Sequence, residues 1–351
     1  MTEENIKNNR KRIYEKIDFL PVPENYNSKI PWSVQNQIAA TNGVHYINRI
    51  GKLNEFPIFE LPVKRVSGNK LMLDIGSGWG RWLIGGFNKG YIPIGIDIRL
   101  EFCQTQQKVL KSLNKKGYSV VADLENIPFL PSTFDLVWSF SVIQHTHAIR
   151  LKNCLTCIDS ILTKNGITKL EFPNSHGIRN RFGPAIKEKE LADDFDSWCV
   201  RYYSPLEYEK IIENYLCNFH FTTHSFLGIG VLKEDLKYVS NKHFLQVAIS
   251  LLLTSISKVL PFSKYLADSV YITAKKKNTF SENTQLNNFI NTHTVGNFDN
   301  LNVIKLLKCP ISGNEVEMSP DRKKIISKTI GIYYPIEDNI PIMISSEARN
   351  L

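Results

Sequence analysis

Residues 71–82 read LMLDIGSGWGRW. Four apolar residues and one acid run straight into Gly76, Ser77, Gly78, Trp79 and Gly80, and a helix-like stretch follows. Glycines at a strand end let the backbone turn tightly and let a ligand approach the main chain. The first turn of the next helix points free N–H groups at that ligand. The spacing is G-x-G-x-G, with Arg81 standing where a dinucleotide fingerprint needs its third glycine. Asp74 beside the turn is awkward against a pyrophosphate and suits a ligand that carries an ammonium group. Taken alone, such a turn also fits an ordinary strand–helix junction.

Outward from this turn, short apolar runs alternate with longer amphipathic ones. YIPIGIDI (91–98), YSVVAD (118–123), FDLVWSFS (134–141) and ITKLEFP (167–173) read as strands. Residues 101–116 and 148–162 read as helices, and HFTTHSF (220–226) and DSVYITA (268–274) as closing strands. Such alternation predicts βαβ units and an α/β fold around a parallel sheet. Ligands bind such sheets beyond the carboxyl ends of the strands, where the strand order reverses. Asp97 closes the second strand, where a carboxylate can accept both hydroxyls of a ribose. Asp123 closes the third and is followed by Leu124, a pairing suited to an adenine amino group and ring. Each acid alone also fits a turn or helix cap. Three in order at the first three strand ends are harder to read that way.

The segments LDIGSGWG, GID at Asp97, AD at Asp123, FDLVWSFSVIQH and LTKNGITKLEFPN together resemble the class I S-adenosylmethionine-dependent methyltransferases, over residues 71–274. The resemblance implies a Rossmann-like seven-stranded sheet whose last strand is antiparallel, with S-adenosylmethionine as cofactor. It implies Asp74, Gly76, Ser77, Gly78, Trp79 and Gly80 around the methionine part, Asp97 with Ile98 at the ribose, and Asp123 with Leu124 at the adenine. WGRW also resembles a subset associated with glycan or natural-product biosynthesis.

Methyl transfer from a sulfonium is an in-line displacement, and alignment of donor and acceptor can supply most of the acceleration. A general base is needed only where the acceptor must lose a proton. WSFSVIQHTH places Ser139, Gln144 and His145 near the expected methyl position. Ser139 is read with the cofactor residues, Gln144 with the acceptor, and His145 as a base for a hydroxyl acceptor. A turn-capping or packing role for His145 weighs equally. No Asn-Pro-Pro-Tyr-type motif follows the fourth strand, which disfavours planar amine and amide acceptors. Residues 174–230 are read as an acceptor lid, with Arg201 and Tyr202 (and Tyr203) binding a polar substrate. For each of those residues a core role in the lid is the alternative.

Residues 278–302 are polar and asparagine-rich, and read as a linker between a body of residues 1–277 and a tail of residues 303–351. The tail, from LLKCP to YYPIEDNIPIMISSEAR, resembles small zinc-ribbon-like proteins. Their eukaryotic and archaeal members are activating subunits of tRNA, rRNA and release-factor methyltransferases. Where zinc-binding members have further thiols, this tail has Ser312 and Ser327, so only Cys309 remains and no metal is expected. The resemblance implies a β-rich activator domain fused in cis that covers an apolar edge. A stabilising appendage is the equal alternative.

The chain has 351 residues, 42% of them hydrophobic, with a net charge of +9. These values exclude wholesale disorder and permit an acidic partner without demanding one. Six cysteines are too few for a disulfide scaffold. The opening MTEENIKNNRKRIYEKI has no apolar signal segment, so the expected location is cytoplasmic, with attachment to the membrane periphery left open. Cys154 and Cys157 lack a second thiol pair and are read as core thiols. FLQVAISLLLTSISKVL (244–260) is too short and too interrupted to span a membrane. It is expected to pack on the sheet, with a membrane-surface role as the minority reading. The leading function is O-methylation of a small-molecule, glycan or lipid-linked acceptor. An RNA-modifying methyltransferase and a non-catalytic cofactor-binding partner module are the alternatives. Nucleic acid is thus a less favoured partner, and salt-steep RNA binding would promote it.

Overall fold

A computed structural model of the chain describes residues 22, 24–41, 44–182, 200–227, 232–277 and 303–351. The expected linker at 278–302, and residues 183–199 and 228–230 of the expected lid, lie outside the described residues. The main helices are α1 (Trp32–Thr41), α2 (Arg81–Asn88), α3 (Leu100–Ser112), α4 (Ala148–Ile161), α5 (Pro205–Ile212) and α6 (Phe244–Ser257). The strands of the body are β1 (Leu71–Ile75), β2 (Ile92–Asp97), β3 (Tyr118–Ala122), β4 (Phe134–Ser139), β5 (Leu162–Pro173), β6 (Leu216–Ser225) and β7 (Ser269–Lys276). Those of the tail are β8 (Glu317–Met318), β9 (Lys324–Ser327), β10 (Ile332–Glu337), β11 (Ile340–Met343) and β12 (Arg349–Asn350).

The chain divides into two compact units. One takes Glu60–Phe172, Leu206–Thr222 and Tyr271–Leu351 and holds most of the sheet. The seven body strands lie in the order β6-β7-β5-β4-β1-β2-β3. β1 pairs in parallel with both β2 and β4, so the order reverses beside β1, where ligands of such sheets bind. Every residue of β1 is buried, as expected for a strand covered on both faces. α4 buries Leu151, Cys154, Leu155, Ile158 and Ile161, a spacing that makes one helical stripe. Cys154 is thus a core thiol, and the Cys157 thiol donates to the Glu125 carbonyl at 3.3 Å. β5 begins five residues earlier than its apolar run suggests. Its pairing with β4 shifts register between Phe134 and Leu136, an irregularity that keeps Lys164, Asn165 and Gly166 within the strand.

The tail does not form a separate body. β11 pairs in parallel with β3, matching Ile342 to Val121 and Met343 to Ala122. The result is one 12-stranded sheet that continues through β10, β9 and β8. Ile340 and Ile342 pack with Cys103 and Val121, and Leu100 and Ile344 close the cluster. Near the start of the tail, Leu130 N–H donates to the Leu306 carbonyl at 2.8 Å, and Lys308 N–H to the Pro128 carbonyl at 2.9 Å. Without β11, β3 would be an open edge strand with unpaired main-chain groups.

Ser312 and Ser327 do converge on Cys309 in space. The Cys309 sulfur lies 3.4 Å from the Tyr334 hydroxyl and accepts from the Ser312 N–H at 3.4 Å. Burial pushes the Cys309 thiol up, but hydrogen bonding from Ser312, Tyr334 and Ser327 outweighs it and brings the thiol down to about 7. One thiol among hydroxyls is a poor donor set for zinc.

The other unit takes Met1–Phe59, Pro173–Pro205 and Thr223–Val270. Its described residues are tied by buried polar side chains. The Gln35 amide donates to the Leu53 carbonyl at 2.9 Å and accepts from Gly51 N–H at 2.7 Å. The Tyr46 hydroxyl donates to Asp235 at 2.6 Å, and Asn174 Nδ2 donates to the Ala267 carbonyl at 2.7 Å. α6 departs from expectation. Only Val247 and Ser250 are buried, Ser250 through its hydroxyl bond to the Phe226 carbonyl at 2.9 Å. The opposite, apolar face is exposed instead of packing on the sheet.

Candidate active site

The turn after β1 is built as its glycines require. Gly76, Gly78 and Gly80 all have positive φ, at 68°, 51° and 96°. A Cβ on Gly76 would sit 2.3 Å from Val142 Cγ2, so the turn and the segment after β4 come together only because that side chain is absent. α2 starts directly from Gly80. Gln106 on α3 holds the turn from behind: its amide donates to Ser77 Oγ and to the Gly78 carbonyl, both at 2.8 Å. The Ser119 hydroxyl on β3 donates to Gln106 Oε1 at 2.7 Å. Trp79, within the turn, is fully buried.

Two of the three strand-end acids belong to this turn. Asp74 is 1% exposed, and neither carboxylate oxygen has a hydrogen-bond partner. Burial holds its carboxyl well above the usual range, Arg81 pulls it back in part, and Asp97 pushes the same way as burial. Asp97 accepts from Gly78 N–H at 3.0 Å and from Arg99 N–H at 3.1 Å. Burial still lifts it to about 6 against those bonds. Ile98 beside it is exposed, with one apolar face open. Asp123 differs. It accepts from Glu125 N–H at 3.0 Å and faces the Arg150 guanidinium at 3.9 Å, and Leu124 is half-buried.

β4 brings Ser139 to the same end of the sheet, buried, its hydroxyl donating to the Ile75 carbonyl at 3.3 Å. Gln144 and His145 follow on a short 3-10 turn, Ile143–His145. Gln144 Nε2 donates to Ser141 Oγ at 3.1 Å and lies 3.5 Å from His145 Nε2. Arg201 and Tyr202 belong to the other unit. Arg201 is 1% exposed, so its guanidinium is a core group and not an open arm, and Tyr202 is half-buried.

The structure adds residues the strand pattern did not single out. Arg81 stacks on two rings, 4.5 Å from the Trp82 centroid and 4.6 Å from that of Phe140. Trp138 packs on Trp82 at 4.9 Å and on Tyr271 at 5.5 Å. Glu171, buried near the end of β5, accepts from the Ser141 N–H at 3.0 Å and so fixes the segment that carries Gln144 and His145. The signal for Glu171 was available: an acid inside the apolar run LEFP needs a reason to be buried. Gln106 gave no such signal, because its partners come from two segments distant from it in sequence, the turn after β1 and β3.

Residues 72–166 match the family model of a methyltransferase domain. A UPF0434 protein of Ectopseudomonas mendocina is 45% identical over 51 residues, which are 14% of this chain and 84% of that protein. A UPF0434 protein of Pseudomonas putida is likewise 45% identical, over 49 residues and 80% of its length. Among solved structures, a chain of the complex between the Haloferax volcanii Trm112 methyltransferase activator and a putative methyltransferase is 15% identical. That match has a TM-score of 0.42 and covers 63% of this chain and 86% of the other. A SAM-dependent methyltransferase of Archaeoglobus fulgidus is 19% identical with a TM-score of 0.40, covering 60% and 87%.

Proposed function

In a chain whose C-terminal segment belongs to the UPF0434 protein family and whose residues 72–166 match a methyltransferase domain, we propose that the glycine turn holds S-adenosylmethionine for O-methylation. The matched methyltransferase domain and the parallel sheet support S-adenosylmethionine-dependent methyl transfer as the reaction. The proposal concerns which residues hold the donor and what receives the methyl group. A small-molecule, glycan or lipid-linked hydroxyl is the acceptor class.

The observation that carries the donor site is Asp74, a buried carboxylate with two unpartnered oxygens beneath a glycine cradle. A buried acid without a partner is costly, and an ammonium group in the cradle is the partner that would offset it. Asp97, open to solvent on one side beside Ile98, accepts ribose hydroxyls. Asp123 and Leu124 would border the adenine, with the Arg150 guanidinium 3.9 Å from Asp123. Ser139, already bonded to the Ile75 carbonyl, shapes the wall near the sulfonium. When bound, the sulfonium supplies an electrophilic methyl group. His145 accepts the acceptor hydroxyl's proton, and Gln144 orients that hydroxyl. Arg201 and Tyr202 act on the acceptor indirectly, by keeping their own unit in shape.

His145→Ala is expected to lower kcat by about 100-fold, the ordinary scale of a lost general base. S-adenosylmethionine affinity, measured by calorimetry, should stay within a factor of two or so of the parent's. An unchanged kcat would remove His145 from the chemistry. The acceptor class is identified by incubating cell extract with methyl-tritiated donor and fractionating the label. Label in RNA alone would replace the small-molecule, glycan or lipid-linked reading of the acceptor.

The raised acids also fix a pH dependence. Asp97 sits at about 6 in the free chain, and the donor's hydroxyls favour its ionised form. Donor affinity is therefore expected to be steady above neutrality and to fall about tenfold by pH 5, as Asp97 takes up a proton. Calorimetric titration across that range checks it. A flat profile would detach Asp97 from the ribose.

A further inference from the structure

We propose that the exposed face of α6 and the segment that follows it dock on the surface of an anionic lipid bilayer. Leu245, Ile249, Leu252 and Ile256 recur at i, i+4, i+7 and i+11, one stripe of the helix, and Val259 continues it. Leu245 is 71% exposed, Leu252 59% and Val259 78%, with Phe244 and Phe262 open at the two ends. Val247 and Ser250 on the opposite side anchor the helix to its own unit, and the Ser250–Phe226 bonds fix its rotation. An apolar surface this continuous on one helix marks an interaction site and not scattered surface leucines.

Charge selects the occupant. Between Asp235 and Asp268 the sequence holds Lys237, Lys242, Lys258 and Lys264 and no Asp or Glu. Lys237 is paired with Glu55, and Lys258 is exposed at the helix end beside Val259. An apolar stripe whose own segment carries lysines and no acid fits an interface of acyl chains under anionic headgroups. A second copy of the chain fits poorly, because a two-fold contact through this stripe would bring the lysines of both copies together. A dedicated protein partner fits less well too, since the stripe has no Trp or Arg, the residues that dominate protein hot spots. Among the described residues no helix is long and apolar enough to cross a membrane, so the contact is one of lying on the surface.

The test uses the full chain and vesicles of phosphatidylcholine, alone or mixed in equal parts with phosphatidylglycerol. Co-sedimentation with the mixed vesicles, weakened by salt, is the expected result. Leu245→Glu/Leu252→Glu should reduce the association by about 100-fold, from two leucines no longer inserted. Lys258→Gln/Lys264→Gln should reduce it by about 30-fold on anionic vesicles only. A Phe262→Trp variant should show its fluorescence quenched by brominated lipid. Circular dichroism and donor binding should stay at parent values in all three, which separates a failure here from a failure of the methyltransferase site. No sedimentation with anionic vesicles, or sedimentation indifferent to the glutamate pair, would overturn the proposal. So would a stable dimer in solution that the glutamate pair dissociates.

Discussion

Asp74→Asn is expected to weaken S-adenosylmethionine binding by roughly 100-fold or more while raising the melting temperature of the free chain at pH 8. Binding suffers because the variant cannot offer a charge to the donor's ammonium group, and losing one member of a buried ion pair costs about 3 kcal/mol or more. Stability gains because the carboxylate is 1% exposed with neither oxygen bonded, and Arg81 offsets only part of the cost of burial. A neutral amide in the same place costs less to bury than a charge. The sign follows from linkage. Asp74 titrates higher in the folded chain than unfolded, so its contribution to stability is present in acid and is lost as pH rises through the folded value. The gap between variant and parent should therefore close on acidification. Thermal melts at several pH values, beside calorimetry at pH 8, read both effects. A variant that melts lower and still binds the donor would show that Asp74 is a structural group.

Ending the chain after residue 302 should leave an insoluble body. The truncation removes the strand that covers β3 and the side chains that cover Cys103 and Val121. Ile340, Ile342, Met343, Leu306 and Leu307 are all buried in the intact chain. At about 1.5–3 kcal/mol for each large apolar side chain, their loss is comparable with the whole stability of an ordinary domain. The exposed β3 edge would also offer free N–H and C=O groups to other chains. Co-expression of residues 303–351 as a separate peptide should restore solubility. A truncated body that stays soluble and melts like the parent would make the tail an ornament. The narrower Ile342→Asp variant tests the same contact with the chain intact.

Much of this could be read from the sequence, for an identifiable reason. The body strands are short apolar runs closed by glycine or aspartate, and each reports its own boundaries locally. Asp74 and Asp97 could be placed because a strand end fixes direction: successive strands of a parallel sheet deliver their last residues to one side. Three features were not local and stayed hidden. The β11–β3 pairing joins residues more than two hundred positions apart, and nothing in IPIM names its partner. α6 reads as a core helix because its apolar residues outnumber its polar ones, yet two serines and a threonine on its inner side turn that count around. Ser250 bonds across to Phe226, and Thr254 bonds back to the Ser250 carbonyl. The tail's lost thiols were legible one by one, but that Ser312, Ser327 and Tyr334 gather on Cys309 was not.

The parallel junction of β11 with β3 also fixes a stoichiometry. A covering strand supplied by a separate protein must be present in excess, competes among its clients and falls away on dilution. Here the strand arrives on the same polypeptide, so each catalytic body meets its own in an intramolecular event whose extent does not depend on the protein's concentration. The assembled state is then indifferent to how much protein the cell makes. Its activity per molecule should be constant from nanomolar to micromolar, where a two-chain enzyme would lose activity as its subunits part.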